Sequence, residues 1–252
     1  MGSSPSSDAP TAAPAAALNR FGTFVFRYRD YVVPACIAAV VFTTTPRPGA
    51  DPWLDIVGVL VACAGQALRV LVIGLAYIQR GGKQKTIAAD RLVVDGIFAH
   101  SRNPLYVGNF LLMSGLMLIW NSPAGYALIA AVAVTLLAMT RAEETFLRGK
   151  FGPEFDAYCA RVPRFLPNPR GLRATLARFA FDWKRVLRKE YGTTFSWTSA
   201  ALLLLGLQRI DRLGLAAAHP ALARLVLVWL GLASLWATAR WMKKSQRLVS
   251  PD

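Results

Sequence analysis

Leu92 to Gly108 reads LVVDGIFAHSRNPLYVG, a polar segment punctuated by Gly96 and Pro104 and set directly before the apolar run Leu105–Trp120. Pro104 suits the first turn of a helix and Asn103 the position that caps it, so Arg102, Asn103 and Tyr106 are carried to the edge of an apolar helix. Upstream, Leu92-Val93-Val94 reads as a short extended piece ended by the Asp95-Gly96 turn signal. Beyond the run, Asn121-Ser122-Pro123 is too short for anything but a tight hairpin. The next apolar run, Ala124–Thr140, therefore lies antiparallel to the first and returns Arg141, Glu143 and Glu144 to the edge where Asn103 began.

Composition sets the environment of that hairpin. The 252 residues are 54% hydrophobic and only 17% charged, with a net charge of +15. Several apolar runs approach membrane-spanning length, which argues for an integral membrane protein rather than a soluble core. The positive excess fits membrane topology and an anionic leaflet. No helix-turn-helix, zinc-finger spacing or aromatic-basic motif accompanies it, so nucleic acid is not an expected partner. Cys36, Cys63 and Cys159 are isolated thiols without CxxC spacing and read as small buried residues. His100 and His219 have no second ligand nearby in sequence, so no metal site is expected.

Outward from the hairpin, the chain divides into a Ser/Pro/Ala-rich tail expected to be disordered (1–20), an N-terminal transmembrane hairpin (21–80), a core with its own transmembrane hairpin (81–170), an interfacial basic segment (171–194), and a C-terminal transmembrane hairpin with a basic tail (195–252). The run Tyr31–Thr45 is short for a span, whereas Trp53–Ile78 is long enough to cross with tilt. Gln66 and Arg69 interrupt the latter. A charge there either snorkels or makes an internal polar contact, and the internal contact is the reading adopted. From Leu172 to Lys189 the apolar Leu172, Leu176, Phe179, Trp183 and Leu187 recur at helical steps between basic residues, the pattern of an amphipathic helix lying on an anionic leaflet. Runs at Phe195–Leu207 and Ala221–Trp241 form the last hairpin, with Gln208–Pro220 between them. Lys and Arg accumulate in the N-terminal arm, the 79–104 loop, the 141–194 segment and the C-terminus. About six spans with both termini cytoplasmic satisfy that distribution, in an inner-membrane type of setting. The fold class expected is all-α, a polytopic helical bundle with a pocket on its cytosolic face.

Taken singly, Arg102 reads as a topology anchor, Tyr106 as an interfacial aromatic, and Glu143 with Glu144 as acidic residues opening a helix after Arg141. Their order changes that reading. LVVDGIFAHSRNPLYVG, a tight apolar hairpin, then RAEETFLRGKFGPEFDAYCARVPRFLP resembles the catalytic half of the isoprenylcysteine carboxyl methyltransferase and phospholipid methyltransferase superfamily, over roughly residues 85–167. The resemblance implies an S-adenosyl-L-methionine-dependent methyltransferase with a membrane lipid or prenylated acceptor, either a carboxylate or a phospholipid amine. It implies a cofactor site built from Leu92, Val93, Gly96, Phe98, Arg102, Asn103, Tyr106, Glu143 and Glu144, with Arg102, Asn103 and Glu143 nearest the chemistry. Relatives often carry His where Asn103 stands, and Asn cannot titrate near neutrality.

The residue types agree with that cofactor independently of the resemblance. Its ammonium calls for a carboxylate, its carboxylate for a cation, and its base for an aromatic or apolar wall. No G-x-G-x-x-G follows a strand, so a Rossmann site is excluded. Two other classes remain on sequence grounds: a sterol-reductase-like membrane reductase using NADPH, and a non-catalytic membrane scaffold.

Overall fold

The computed structural model describes Tyr28 and residues 31–47, 52–75, 92–178 and 180–248. The N-terminal tail, the arginines at 20, 27 and 29, and residues 79–91 of the basic loop lie outside the described residues. Those described are helical or irregular, with no strand among them. The helices are α1 (Tyr31–Thr43), α2 (Pro52–Leu75), α3 (Pro104–Trp120), α4 (Pro123–Phe151), α5 (Pro153–Arg161), α6 (Leu172–Arg178) and α7 (Trp183–Lys244), with a single 3-10 turn at Gly96–Ala99. By length and composition α2, α4 and α7 can each cross a membrane, and α1 and α3 are shorter apolar helices.

The α3–α4 hairpin forms as its sequence dictates. Asn121 takes the left-handed conformation (φ 48) that closes α3. Ser122 then caps α4, its Oγ accepting from the Gly125 N–H at 3.0 Å, and Pro123 occupies the first turn. The loop after α1 docks on this turn: the Arg47 N–H donates to the Asn121 carbonyl and the Trp120 indole to Thr44 Oγ1, both at 3.1 Å.

Helices α2 and α3 run antiparallel and meet backbone to backbone. A Cβ on Gly58 would stand 2.7 Å from the Gly115 carbonyl oxygen, and one on Gly65 2.7 Å from that of Gly108. In lipid no hydrophobic force draws helices together, so small residues that allow such close packing fix the contact. Arg69, six residues before the end of α2, does not snorkel. It is 4% exposed, and its Nε and Nη2 donate to the two oxygens of Glu190 in α7 at 2.8 and 2.7 Å. Gln66 joins them, donating to Glu190 and accepting from the Trp197 indole.

Two expectations about the C-terminal third need correction. The single amphipathic helix over Leu172–Lys189 is broken, with α6 ending at Arg178 and α7 starting at Trp183. The break is held by tertiary contacts: the Asp182 N–H donates to the Gly74 carbonyl at 2.9 Å, and the Phe181 ring fills the space a Cβ on Gly74 would need. Asp182 then caps α7 by accepting from the Arg185 N–H. Leu176, Trp183 and Leu187 remain exposed on the two pieces. The second correction concerns the connection at Gln208–Pro220. It is helical on both sides of Gly214, whose φ of 74 alone breaks the 62-residue stretch. The two limbs fold back on each other there, pairing the Trp229 indole with Ser199 at 3.1 Å and stacking Phe195 on Trp236 at 5.3 Å. Among the described residues, each of the six apolar runs read from the sequence contains helix, and three helices are long and apolar enough to cross a membrane.

The α2–α3 contact yields a paired prediction. Gly115→Ala places a methyl 2.4 Å from the Gly58 carbonyl, against backbone that cannot step aside, and should destabilise by about 1–3 kcal/mol. Gly149→Ala, on α4 where a Cβ meets nothing within 4 Å, should stabilise by roughly 0.5–1 kcal/mol. Thermal unfolding of the two variants in one detergent checks both signs.

Candidate functional site

The α3–α4 hairpin brings residues 102–106 and 143–144 together. The glutamates do not open a helix after Arg141, because α4 continues unbroken from Pro123 to Phe151 and places them in its interior. Successive helical residues point about 100° apart, so the two carboxylates serve different partners. Glu143 accepts from the Tyr106 hydroxyl at 3.1 Å. Glu144, 7% exposed, receives Arg102 Nη1 on Oε1 at 2.9 Å and Arg164 Nη2 on Oε2 at 2.7 Å. Arg164 Nε adds a second bond to Oε1 at 2.9 Å, completing a fork on the carboxylate.

Arg164 was not among the residues singled out from the sequence, and it belongs to a third wall. The segment Val162-Pro163-Arg164 runs alongside the entrance to α3. Arg102 N–H donates to the Pro163 carbonyl at 2.9 Å and Asn103 N–H to that of Arg164 at 3.2 Å. The Asn103 side-chain amide donates to the same Arg164 carbonyl at 3.1 Å. Asn103 therefore stands at the capping position of α3 without capping it, and its amide is spent on tying two segments together. The sequence held one signal for Arg164: it sits between Pro163 and Pro167, which fix the direction of the chain there.

Cys159 also reaches the cluster, accepting from Arg102 Nη1 at 2.8 Å. Arg102 Nε is buried and has no hydrogen-bond partner among the described residues. Hydrogen bonding to Glu144 raises the pKa of Arg164 further, so it stays charged at all accessible pH.

The remaining residues of the expected set take packing and turn positions. Gly96 is buried at φ 63, a conformation that suits glycine and starts the 3-10 turn. Leu92 packs with Val94 against Phe155, Tyr158 and Val162, and Val93 is half-buried beside them in sequence. The Phe98 ring packs on Val72, Leu75 and Ile97, while its carbonyl accepts from the Tyr158 hydroxyl at 2.8 Å. Burial pushes the Tyr158 phenol well above its usual range, which keeps the donor proton in place. His100, buried at the end of the turn, has Nδ1 2.8 Å from the Asn168 carbonyl and Nε2 2.9 Å from Thr175 Oγ1, an anchor for the segment leading to α6.

Comparison with known proteins bears on this arrangement. A family model described as phospholipid methyltransferase matches residues 54–154, from α2 into the start of α5. The nickel-cobalt-cadmium resistance protein NccN of Alcaligenes xylosoxydans xylosoxydans is 30% identical over 156 residues, 61% of this chain and 71% of that protein. The cobalt-zinc-cadmium resistance protein CzcN of Cupriavidus metallidurans is 36% identical over 116 residues, 46% of this chain and 48% of its own length. Human protein-S-isoprenylcysteine O-methyltransferase is 29% identical over 157 residues, 58% of this chain and 54% of the human protein. The matched region thus spans about half the length of the latter two. No solved structure matches the chain.

The ion-pair geometry predicts a ranking. Glu144→Gln leaves two guanidinium groups facing each other without a carboxylate, and should destabilise by about 2 kcal/mol, below the range for fully buried pairs because Arg164 is partly solvated. Arg164→Gln leaves the Arg102–Glu144 pair intact and should cost less than half as much. Thermal or denaturant unfolding of the purified variants tests the order.

Proposed function

The chain belongs to the isoprenylcysteine carboxyl methyltransferase and phospholipid methyltransferase superfamily, and from that premise we propose that it is an integral membrane S-adenosylmethionine-dependent methyltransferase acting on a lipid-like acceptor. One observation carries the reading: the α3–α4 hairpin sets Tyr106–Glu143 and Arg102–Glu144 side by side, at 3.1 and 2.9 Å, at one end of an apolar bundle.

The residues fit the charges of that cofactor. Glu143, with the Tyr106 hydroxyl, is the carboxylate for its ammonium. Arg102, whose Nε lies buried without a partner among the described residues, is the cation for its carboxylate. When bound, the cofactor supplies a sulfonium-activated methyl group for direct displacement. The chain's own task is then to orient both reactants and keep water from the transfer. Asn103 orients: its amide is pinned to the Arg164 carbonyl and carries no titratable proton. A carboxylate acceptor arrives already anionic, whereas an amine must first lose a proton, for which Glu143 is the base at hand. We place this pocket on the cytosolic face, in keeping with the distribution of Lys and Arg along the chain.

Three measurements test the reading. Purified protein should bind S-adenosylmethionine saturably, and Glu143→Gln should weaken binding roughly tenfold or more, the loss expected for a charged hydrogen bond; full affinity in that variant would remove Glu143 from the site. Membranes containing the protein, given methyl-labelled cofactor, should yield a labelled lipid. Alkali releases the label as methanol from a carboxyl ester and leaves an N-methyl amine intact, and no labelled product at all would count against the enzyme. Finally, a C-terminal tag should be reachable only from the cytoplasmic side, and labelling from the opposite side would invert the orientation.

A further inference from the structure

Glu190 lies on α7, outside the segment 54–154 that the family model matches, yet it is 2% exposed and reaches into the matched core. Both its oxygens accept from Arg69, through Nε at 2.8 Å and Nη2 at 2.7 Å. A bidentate pair of this kind fixes the plane of the guanidinium, because the fork is rigid. The remaining nitrogen, Nη1, is then aimed at a single place: it donates to Asn109 Oδ1 on α3. The aliphatic part of Arg69 lies across Gly108, where a Cβ would come within 2.6 Å of its Cγ. Asn109 is one helical turn beyond Tyr106, the residue whose hydroxyl must meet Glu143.

From this chain of contacts we infer that Glu190 is a positioning residue for the cofactor pocket: it holds Arg69 in the orientation that grips Asn109 and so sets the first turn of α3. The inference rests on the proposed cofactor reading. Asp182 and Phe181 clasp the end of α2 at Gly74 just before Glu190 arrives, so the entry of the C-terminal hairpin is registered on α2 at two levels. A purely mechanical staple would require the ion pair alone. The third contact, to Asn109, connects it to the pocket wall. The C-terminal hairpin thereby controls the site without touching the cofactor.

The test uses the full-length protein in detergent or nanodiscs, with S-adenosylmethionine affinity and thermal unfolding measured together. Asn109→Ala removes only the last link and should weaken cofactor affinity about fivefold with little change in unfolding temperature. Glu190→Gln should weaken it at least as much, Glu190→Asp should fall between wild type and Glu190→Gln, and the double variant Arg69→Gln/Glu190→Gln should be no worse than Glu190→Gln, because the residues act in series. Gln208→Leu is the control. It removes the bond from Gln208 to the Ile119 carbonyl near the other end of the same limb of α7, and should lower the unfolding temperature while leaving affinity unchanged. Wild-type affinity in both Asn109→Ala and Glu190→Gln overturns the inference, as does an equal loss in Gln208→Leu. Should Glu190→Gln not fold, Asn109→Ala and Glu190→Asp decide the matter. A wild-type protein that binds no S-adenosylmethionine fails at the earlier step and takes this inference with the cofactor reading.

Discussion

The close approach of α2 and α3 constrains everything that follows it in the chain. Gly58 and Gly115 face one another at one level and Gly65 and Gly108 at the next, each pair too near to admit a methyl group. In a bilayer, where apolar side chains gain little by leaving lipid for protein, such steric fit and the polar contacts it permits are what hold helices in register. With α3 fixed in this way, its first turn and the segment leading into it have one position relative to α2. The rigid turn at Asn121-Ser122-Pro123 then fixes α4 relative to α3. Tyr106 and Glu143, 37 residues apart in sequence, meet because the capped turn folds α4 back along α3.

The same seam explains where the charges go. A helix packed this tightly leaves Arg69 no route except along the groove at Gly108, into the bundle rather than out to water. An isolated charge there would be prohibitively expensive, and Glu190 from α7 neutralises it with two direct hydrogen bonds. At the edge of the bundle the balance is different. Arg102 and Arg164 share Glu144, which leaves that trio with one positive charge in excess. The Arg69–Glu190 pair balances its charge inside the bundle, whereas at the edge Glu143 stands beside the trio with its own partner, the Tyr106 hydroxyl.

Local signals in the sequence carried the helices and the hairpin. The Pro and Ser at the start of α4, the apolar runs, and the spacing of the R-N-P-x-Y and E-E clusters each act within a few residues, so they can be read without the fold. Features that depend on tertiary contact were out of reach. The break between α6 and α7 is made by Gly74 meeting Phe181, a pair separated by more than a hundred residues, and the helical periodicity of Leu172–Lys189 gave no hint of it. Glu190 carries no local signal, because its partner is on α2. Arg164 lay within the quoted pattern, but its role depends on how far the prolines on either side turn the chain back toward Glu144. The turn at Gly214 was legible only as an interruption between two apolar runs, since a single residue with positive φ reverses the chain there without any loop to mark it.

Asn103 shows how the site's chemistry follows from its framework. Its side-chain amide and its backbone N–H both bind the Arg164 carbonyl, so the residue serves as a clamp between the entrance of α3 and the wall that carries Arg164. Breaking that clamp to take up a proton is not open to an amide in any case. Arg164 holds its proton, Glu144 is committed to both Arg102 and Arg164, and the Tyr158 phenol is held neutral by burial. On the proposed reading, this leaves Glu143 as the one described carboxylate at the pocket able to act as a base, and it is already engaged with Tyr106. On that reading the pocket's ionisable groups are largely committed to one another, and its framework and its chemistry share the same contacts.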